Sequence, residues 1–167
     1  MNSTLMFLHG LESTGCGFKA TYLRTYFPKI ITPTFTGNLD ERMQQLERLI
    51  PPYSRWIFIG SSFGGLMATL FAIRHPKQIS KLILLAPALL PSISPSLSWN
   101  EKLSVPIVGI LAKHDTLLPL KELQRKCESI FRSYWLHIVE DEHKLEYTTK
   151  MINWKALVFQ SHFRFMD

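Results

Sequence analysis

The sequence predicts a doubly wound α/β fold, a mostly parallel six-stranded sheet with helices on both faces. Short apolar runs recur along the chain, continuous rather than alternating, as strands buried on both faces are. Most are separated by segments whose apolar residues repeat at the helical period of 3.6. Such alternation implies a parallel sheet. At 167 residues the chain holds one well-buried core and is short for two ordinary domains, so a single domain over 1–167 is expected. A composition of 46% hydrophobic and 19% charged residues excludes a disordered chain.

Leu5-Met6-Phe7-Leu8 reads as the first strand and ends at His9-Gly10-Leu11. Phe18 to Phe27 follows as a helix with Tyr22, Leu23, Tyr26 and Phe27 on one face, closed by Pro28. Ile30-Ile31-Thr32 before Pro33 reads as a second strand near a sheet edge. Asn38 with Glu41 resembles a capping box, and the helix it opens stops at Pro51-Pro52. Trp56 to Ile59 is the third strand and runs into Gly60-Ser61-Ser62-Phe63-Gly64-Gly65, from which a helix continues to Arg74. Leu82 to Ala86, Ile107 to Leu111 and Trp135 to Val139 complete the six strands. Leu120, Leu123, Cys127 and Ile130 mark a helix between the last two. Tyr147 to Phe163 is expected to end the chain as one amphipathic helix.

The chemistry centres on Ser62. Gly60 and Gly64 flank it at minus two and plus two, where a strand doubling back into a helix leaves no room for a Cβ. Ser62 itself is then forced to positive φ, with its hydroxyl exposed beside the positive end of the following helix. A Gly/Ser turn before a helix would share this pattern. What separates the two readings is the ordered arrival of partners: Asp115 after the fifth strand and His143 after the sixth. A serine hydroxyl is a weak nucleophile at neutral pH, so it needs a general base, and that base needs an anion to fix its tautomer. Asp115 is expected to be that anion, because Asp141 shares the short loop of His143 whereas Asp115 arrives from a neighbouring strand end. The backbone N–H groups of Leu11 and Phe63 are the candidate oxyanion donors. His9, Gly10, Phe35, Leu89, Leu90 and Trp99 are candidate substrate-binding residues.

At these motifs the sequence resembles the α/β-hydrolase family. His9-Gly10 is similar to its oxyanion loop, Gly60 to Gly64 to its nucleophile elbow, Asp115 to Pro119 to its acid loop and Asp141-Glu142-His143 to its histidine loop. The chain begins at what resembles the family's third strand, and the cap is reduced to about 87–104, a segment rich in Ser and Pro. It resembles most the small, nearly capless bacterial serine esterases. The resemblance implies a cofactor-free hydrolase of carboxylic esters or thioesters with small to medium acyl groups, working through an acyl-enzyme on Ser62. In this motif His9 shapes its loop instead of moving protons. The rival expectation is a protein of this fold that binds a ligand or partner without significant turnover.

The remaining features are mostly exclusions. No His, Cys, Asp or Glu spacing fits a metal site, and no Gly-rich loop fits phosphate. No apolar run approaches the ~20 residues that span a bilayer, and the start lacks the features of a signal peptide, so no membrane span and a cytoplasmic location are expected. Cys16 and Cys127 read as reduced thiols. The net charge of +6 is dispersed, without interleaved exposed aromatics, which argues against nucleic acid. It leaves a narrower expectation, an acyl group carried on an acidic acyl carrier protein.

Overall fold

The computed structural model describes residues 3–90, 92–93 and 102–160. Strands β1 (Thr4–Leu8), β2 (Trp56–Ser61), β3 (Ile79–Leu85), β4 (Ile107–Ala112) and β5 (Tyr134–Val139) form one parallel sheet in sequence order. The helices are α1 (Phe18–Tyr26), α2 (Leu39–Leu49), α3 (Phe63–Arg74), α4 (Leu120–Ile130), α5 (Glu146–Met151) and α6 (Trp154–Phe159). No helix among the described residues is long and apolar enough to cross a membrane.

The sheet has five strands where the sequence predicts six. Ile31 makes one parallel bridge to Met6, with its N–H on Leu5 O at 3.0 Å and its carbonyl accepting from Phe7 N–H at 2.9 Å, and the pairing goes no further. Pro28 and Pro33 bracket this segment, and a proline can neither donate to a ladder nor let its predecessor choose its backbone freely. The bridge still fixes the topology. Since β2 occupies one side of β1, Ile31 lies on the other, and the connection from β1 to Ile31 runs opposite to all later ones. Right-handed crossovers then send α1 to one face and α2, α3 and α4 to the other. The contacts agree: Glu47 of α2 pairs with Arg74 of α3 at 2.8 Å, while Phe27, just after α1, meets Phe159 of α6 edge-on at 5.8 Å.

Asn38 caps α2 as its spacing predicts, accepting from Glu41 N–H at 3.1 Å while Glu41 accepts from Asn38 N–H at 2.8 Å. The last helix differs from expectation. Helical periodicity continues past Met151, but Asn153 accepts from Ala156 N–H at 3.1 Å and starts a separate helix, α6. A short polar side chain that can cap competes with helix continuation in this way. Trp154, fully buried, folds back to donate to Thr149 O at 2.8 Å and seals the break. Lys81 of β3 is buried with its ammonium on the carbonyls of Leu157 and Gln160, fastening the last turn of α6 to the sheet.

In register, Leu8, Gly60, Leu84, Gly109 and Leu136 form one row across the five strands. His9, Ser62, Asp115 and His143 all follow that row, so all lie beyond the carboxyl edge of the sheet, where ligands of open α/β sheets bind. The tightest packing is also here. A Cβ on Gly64 would lie 2.0 Å from Leu8 O, and one on Gly60 would lie 2.6 Å from Gly64 O. By contrast a Cβ on Gly10 would meet nothing nearer than 3.5 Å. Gly64→Ala should therefore destabilise the protein by about 3 kcal/mol or more, because backbone must move to admit it, whereas Gly10→Ala should cost under about 1 kcal/mol. Urea unfolding of the two variants checks this; equal midpoints would refute the close approach.

Candidate active site

Ser62 occupies the turn between β2 and α3 with φ 51° and ψ −114°, the strained positive-φ backbone that its flanking glycines imply. The turn is pinned from several sides. Ser62 N–H donates to Leu85 O at 2.9 Å, and Ser62 O accepts from the N–H groups of Gly65 at 2.9 Å, Ala88 at 3.0 Å and Leu66 at 3.2 Å. With its backbone so held, the side chain is half-buried beside the amino end of α3.

His143 bridges serine and aspartate. Its Nε2 is 2.9 Å from Ser62 Oγ and its Nδ1 is 2.7 Å from Asp115 Oδ2. An ionised carboxylate only accepts, so Nδ1 carries the proton and Nε2 presents a lone pair to the Ser62 hydroxyl. The Asp115 side chain is 2% exposed, and its other oxygen, Oδ1, accepts from Leu117 N–H at 2.9 Å and Leu118 N–H at 2.8 Å. Burial alone would raise the Asp115 carboxyl; the hydrogen bonds from His143, Leu118 and Leu117 outweigh it and hold the carboxyl below the usual range.

Asp141 does different work. Its Oδ2 accepts from Thr148 N–H and Oγ–H, both at 2.8 Å, and its Oδ1 from Glu142 N–H at 2.8 Å. It thereby ties the His143 loop to α5, and the pivot is Leu145, buried and at φ 50°. Its carboxyl is also lowered: burial opposes, and the bonds from Thr148 and Glu142 prevail. His114, next to Asp115, turns away and meets Glu140 at 2.8 Å.

The loop expected to supply an oxyanion donor follows β1. His9 is fully buried, with Nδ1 2.7 Å from Gly10 O, while Phe35 N–H donates to Nε2 at 2.8 Å. Because a backbone N–H can only donate, Nε2 is the acceptor and the proton sits on Nδ1. Burial, and secondarily the charge of Arg42, lower its pKa against the bond to Gly10 O, so His9 is neutral. It orients the peptide joining Gly10 to Leu11. Gly10 lies beside the elbow, its Cβ direction meeting Ser61 O and Ser62 Cβ at 3.5 Å. Phe63 is the first residue of α3, so its N–H has no intrahelical acceptor, and Leu11 N–H has no backbone partner among the described residues.

The other expected binding residues fall differently. Phe35 is 2% exposed and rests against the His9 ring at 5.7 Å. Leu89 and Leu90 belong to the core, at 0% and 5% exposure, and anchor the chain that leaves β3. Trp99 lies outside the described residues, as does half of the reduced cap expected at 87–104. Cys127 is packed in the core, where burial pushes its thiol up to about 12, and Cys16 is exposed and unpaired. Among the described residues no group of three or more His, Cys, Asp or Glu could hold a metal ion.

One residue escaped the sequence reading. Arg42 of α2, at a position no motif marks, is 5% exposed. Its Nε donates to Gly37 O at 2.9 Å, its Nη2 to Leu11 O at 3.4 Å, and its guanidinium lies over the Phe63 ring, 5.4 Å from the centroid. An arginine among the charged residues of a helix carries no signal of burial.

Residues 15–111 match the family described as the alpha/beta hydrolase fold. The chain belongs to that family. Among relatives, the biotin biosynthesis bifunctional protein BioHC of Teredinibacter turnerae is 36% identical over 97 residues, covering 50% of this chain and 17% of that protein. The chain thus spans less than a fifth of the length of the curated relatives it matches. Among solved structures, an alpha/beta-superfamily hydrolase from Xanthomonas campestris superposes with a TM-score of 0.75 at 24% identity, covering 89% of this chain and 91% of that one. Est1E from Butyrivibrio proteoclasticus with ferulic acid bound gives 0.67 at 14% identity, covering 89% and 86%. These likenesses show the hydrolase fold.

The two lowered carboxyls of this family member make stability depend on pH with a definite sign. An Asp whose folded pKa is depressed contributes fully above the ~3.9 of an unfolded Asp and loses that contribution as pH falls through the folded value. The urea midpoint should therefore fall with pH below ~4 in the wild type. In the double variant Asp115→Asn, Asp141→Asn that acid dependence should be shallower. An unchanged slope would mean the two carboxylates are not held as described.

Proposed function

We propose that the protein is a serine hydrolase that cleaves carboxylic ester or thioester bonds of small to medium acyl substrates. The observation that carries this is the unbroken line of hydrogen bonds from Ser62 Oγ through His143 to Asp115, at 2.9 and 2.7 Å. In the first half-reaction His143 Nε2 takes the Ser62 proton as Oγ attacks the carbonyl carbon. The oxygen of the tetrahedral intermediate accepts from Leu11 and Phe63 N–H, and Asp115 stabilises the imidazolium. Collapse breaks the bond to the alcohol or thiol, which leaves with the proton from Nε2. Water, deprotonated by the same nitrogen, then attacks the acyl carbon, and the bond to Ser62 Oγ breaks as Nε2 returns its proton to that oxygen, releasing the acid and restoring the serine.

The exposed rim supports an apolar acyl substrate. Leu11, on the loop after β1, is 56% exposed and Leu117, two residues past Asp115, is 67% exposed, so the loops that carry Gly10 and Asp115 each present an apolar side chain to solvent. The ferulic acid held by Est1E is a carboxylic acid, the class of product that such hydrolysis releases. A thioester on an acidic acyl carrier protein is the narrower form of this reading, favoured by the net charge of +6.

A fluorophosphonate probe should label the wild type and not Ser62→Ala. Ser62→Ala and His143→Ala should each lower kcat for an ester by at least ~10³, because members of one proton-transfer unit fail together. Asp115→Asn should damage turnover far more than Asp141→Asn. A folded wild type that never labels would favour a binding protein of hydrolase fold, and more than a tenth of activity surviving in Ser62→Ala would refute the nucleophile.

Acyl length should matter over a short span. Each methylene buried against the rim gains about 0.8 kcal/mol, so kcat/KM should rise for a few carbons and then flatten. A series of p-nitrophenyl esters reads this directly; a rise continuing to about sixteen carbons would require a long enclosed channel instead.

A further inference from the structure

The two proposed oxyanion donors, Leu11 and Phe63, share one neighbour. Arg42 reaches the Leu11 carbonyl with Nη2 and covers the Phe63 ring with its guanidinium, while Nε is anchored on Gly37 O. Every one of these partners is neutral. Among the described residues no carboxylate pairs with Arg42, and its Nη1, buried, has no hydrogen-bond partner. A guanidinium this deep is costly unless its charge is compensated. Burial also lowers the Arg42 pKa, the mark of a cation that its surroundings do not neutralise.

Resting on the serine-hydrolase reading above, we propose that Arg42 is the positioning residue of the oxyanion pocket, holding the Leu11 and Phe63 segments and supplying uncompensated positive charge where negative charge develops in the transition state. The ground-state ester carries no charge for it to meet, so its effect is felt when the carbonyl oxygen becomes an oxyanion. A further effect is electrostatic. The Arg42 charge disfavours protonation of His9, which keeps Nε2 an acceptor for Phe35 N–H and Nδ1 a donor to Gly10 O. That second bond sets the plane of the peptide whose N–H belongs to Leu11.

The test is Arg42→Gln and Arg42→Lys, with active sites counted by fluorophosphonate titration so that unfolded protein does not register. Loss of one direct oxyanion donor costs about 10² to 10³ in kcat, so a residue acting behind both donors should cost roughly 10 to 100-fold in Arg42→Gln, with KM changed by less than about threefold. Affinity for a trifluoromethyl ketone, which forms a charged tetrahedral adduct on serine, should fall by the same factor as kcat/KM. Arg42→Lys, which keeps the charge and loses the fork, should retain more of both. Should Arg42→Gln not fold, Arg42→Lys decides alone, with a severalfold loss in kcat expected. Values per active site within twofold of wild type in the folded variants would overturn the assignment, as would a ketone affinity that stays fixed while kcat falls. If the wild type neither labels nor turns over any ester, the hydrolase reading fails and this inference falls with it; an active, labelled wild type beside unaltered Arg42 variants removes this inference alone.

Discussion

The geometry at the carboxyl edge depends on how closely the first turn of α3 can approach the end of β1. At Gly64 that approach leaves no room for a side chain, since a Cβ would sit 2.0 Å from Leu8 O. The closeness fixes three things at once. It brings the loop after β1 beside Ser62, it lets α3 start directly from β2, and it forces the strain of that change in direction onto Ser62 at φ 51°. The strain persists because Leu85, Ala88, Gly65 and Leu66 hold both sides of the Ser62 peptide unit. A second strained residue, Ala86 at φ 42°, lies just past β3 and donates to Ile110 O at 2.9 Å, so the neighbouring strand end is held in the same manner.

This dependence explains what the sequence could reveal. Gly60 and Gly64 are legible because backbone contact leaves no room for a side chain there, and the constraint leaves a mark at fixed spacing on either side of Ser62. The Asn38 and Glu41 cap is legible for the same reason: the two bonds need that separation. Asp115 could be preferred over Asp141 from chain geometry alone, and the structure gives Asp141 its own occupation on Thr148. Ile30 to Thr32 reads as a strand from composition, but composition does not say how many bonds a segment between two prolines can complete. The division of the final helix turns on whether Asn153 caps or continues, a competition of small energies that periodicity cannot register. Leu89 and Leu90 are apolar for the core, and an apolar residue near a site carries the same letter whether it faces a ligand or its own protein.

Arg42 is the harder case. Sequence reading treats arginine on a helix as solvated surface, and for most arginines that is correct. Its burial follows from the Gly37 turn before α2 and from the loop after β1, which together cover the helix's first turns and offer carbonyls to a guanidinium. Only tertiary structure brings those two segments together. Lys81 is the parallel example on the other side of the sheet: a buried cation whose partners, Leu157 and Gln160, are carbonyls from a helix 76 and 79 residues away.

The two histidines at the sheet edge show how partners, not residue type, divide the work. Each imidazole has both nitrogens engaged. On His9 both partners are backbone groups, Gly10 O on one side and Phe35 N–H on the other, neither of which can exchange a proton at neutral pH. Protonating His9 would break the Phe35 bond and bring two cations together with Arg42, so the ring is confined to one tautomer and serves as a strut. On His143 the partners are a carboxylate and a hydroxyl, so under the proposed mechanism a proton gained at Nε2 would come from Ser62 and be stabilised by Asp115. The side chain of His143 is 18% exposed, enough for a leaving group or water to reach Nε2, whereas His9 is closed off completely. The same ring therefore acts as a rigid spacer in one loop and is set up as a proton carrier in the other, and the difference lies in the backbone each loop presents to it.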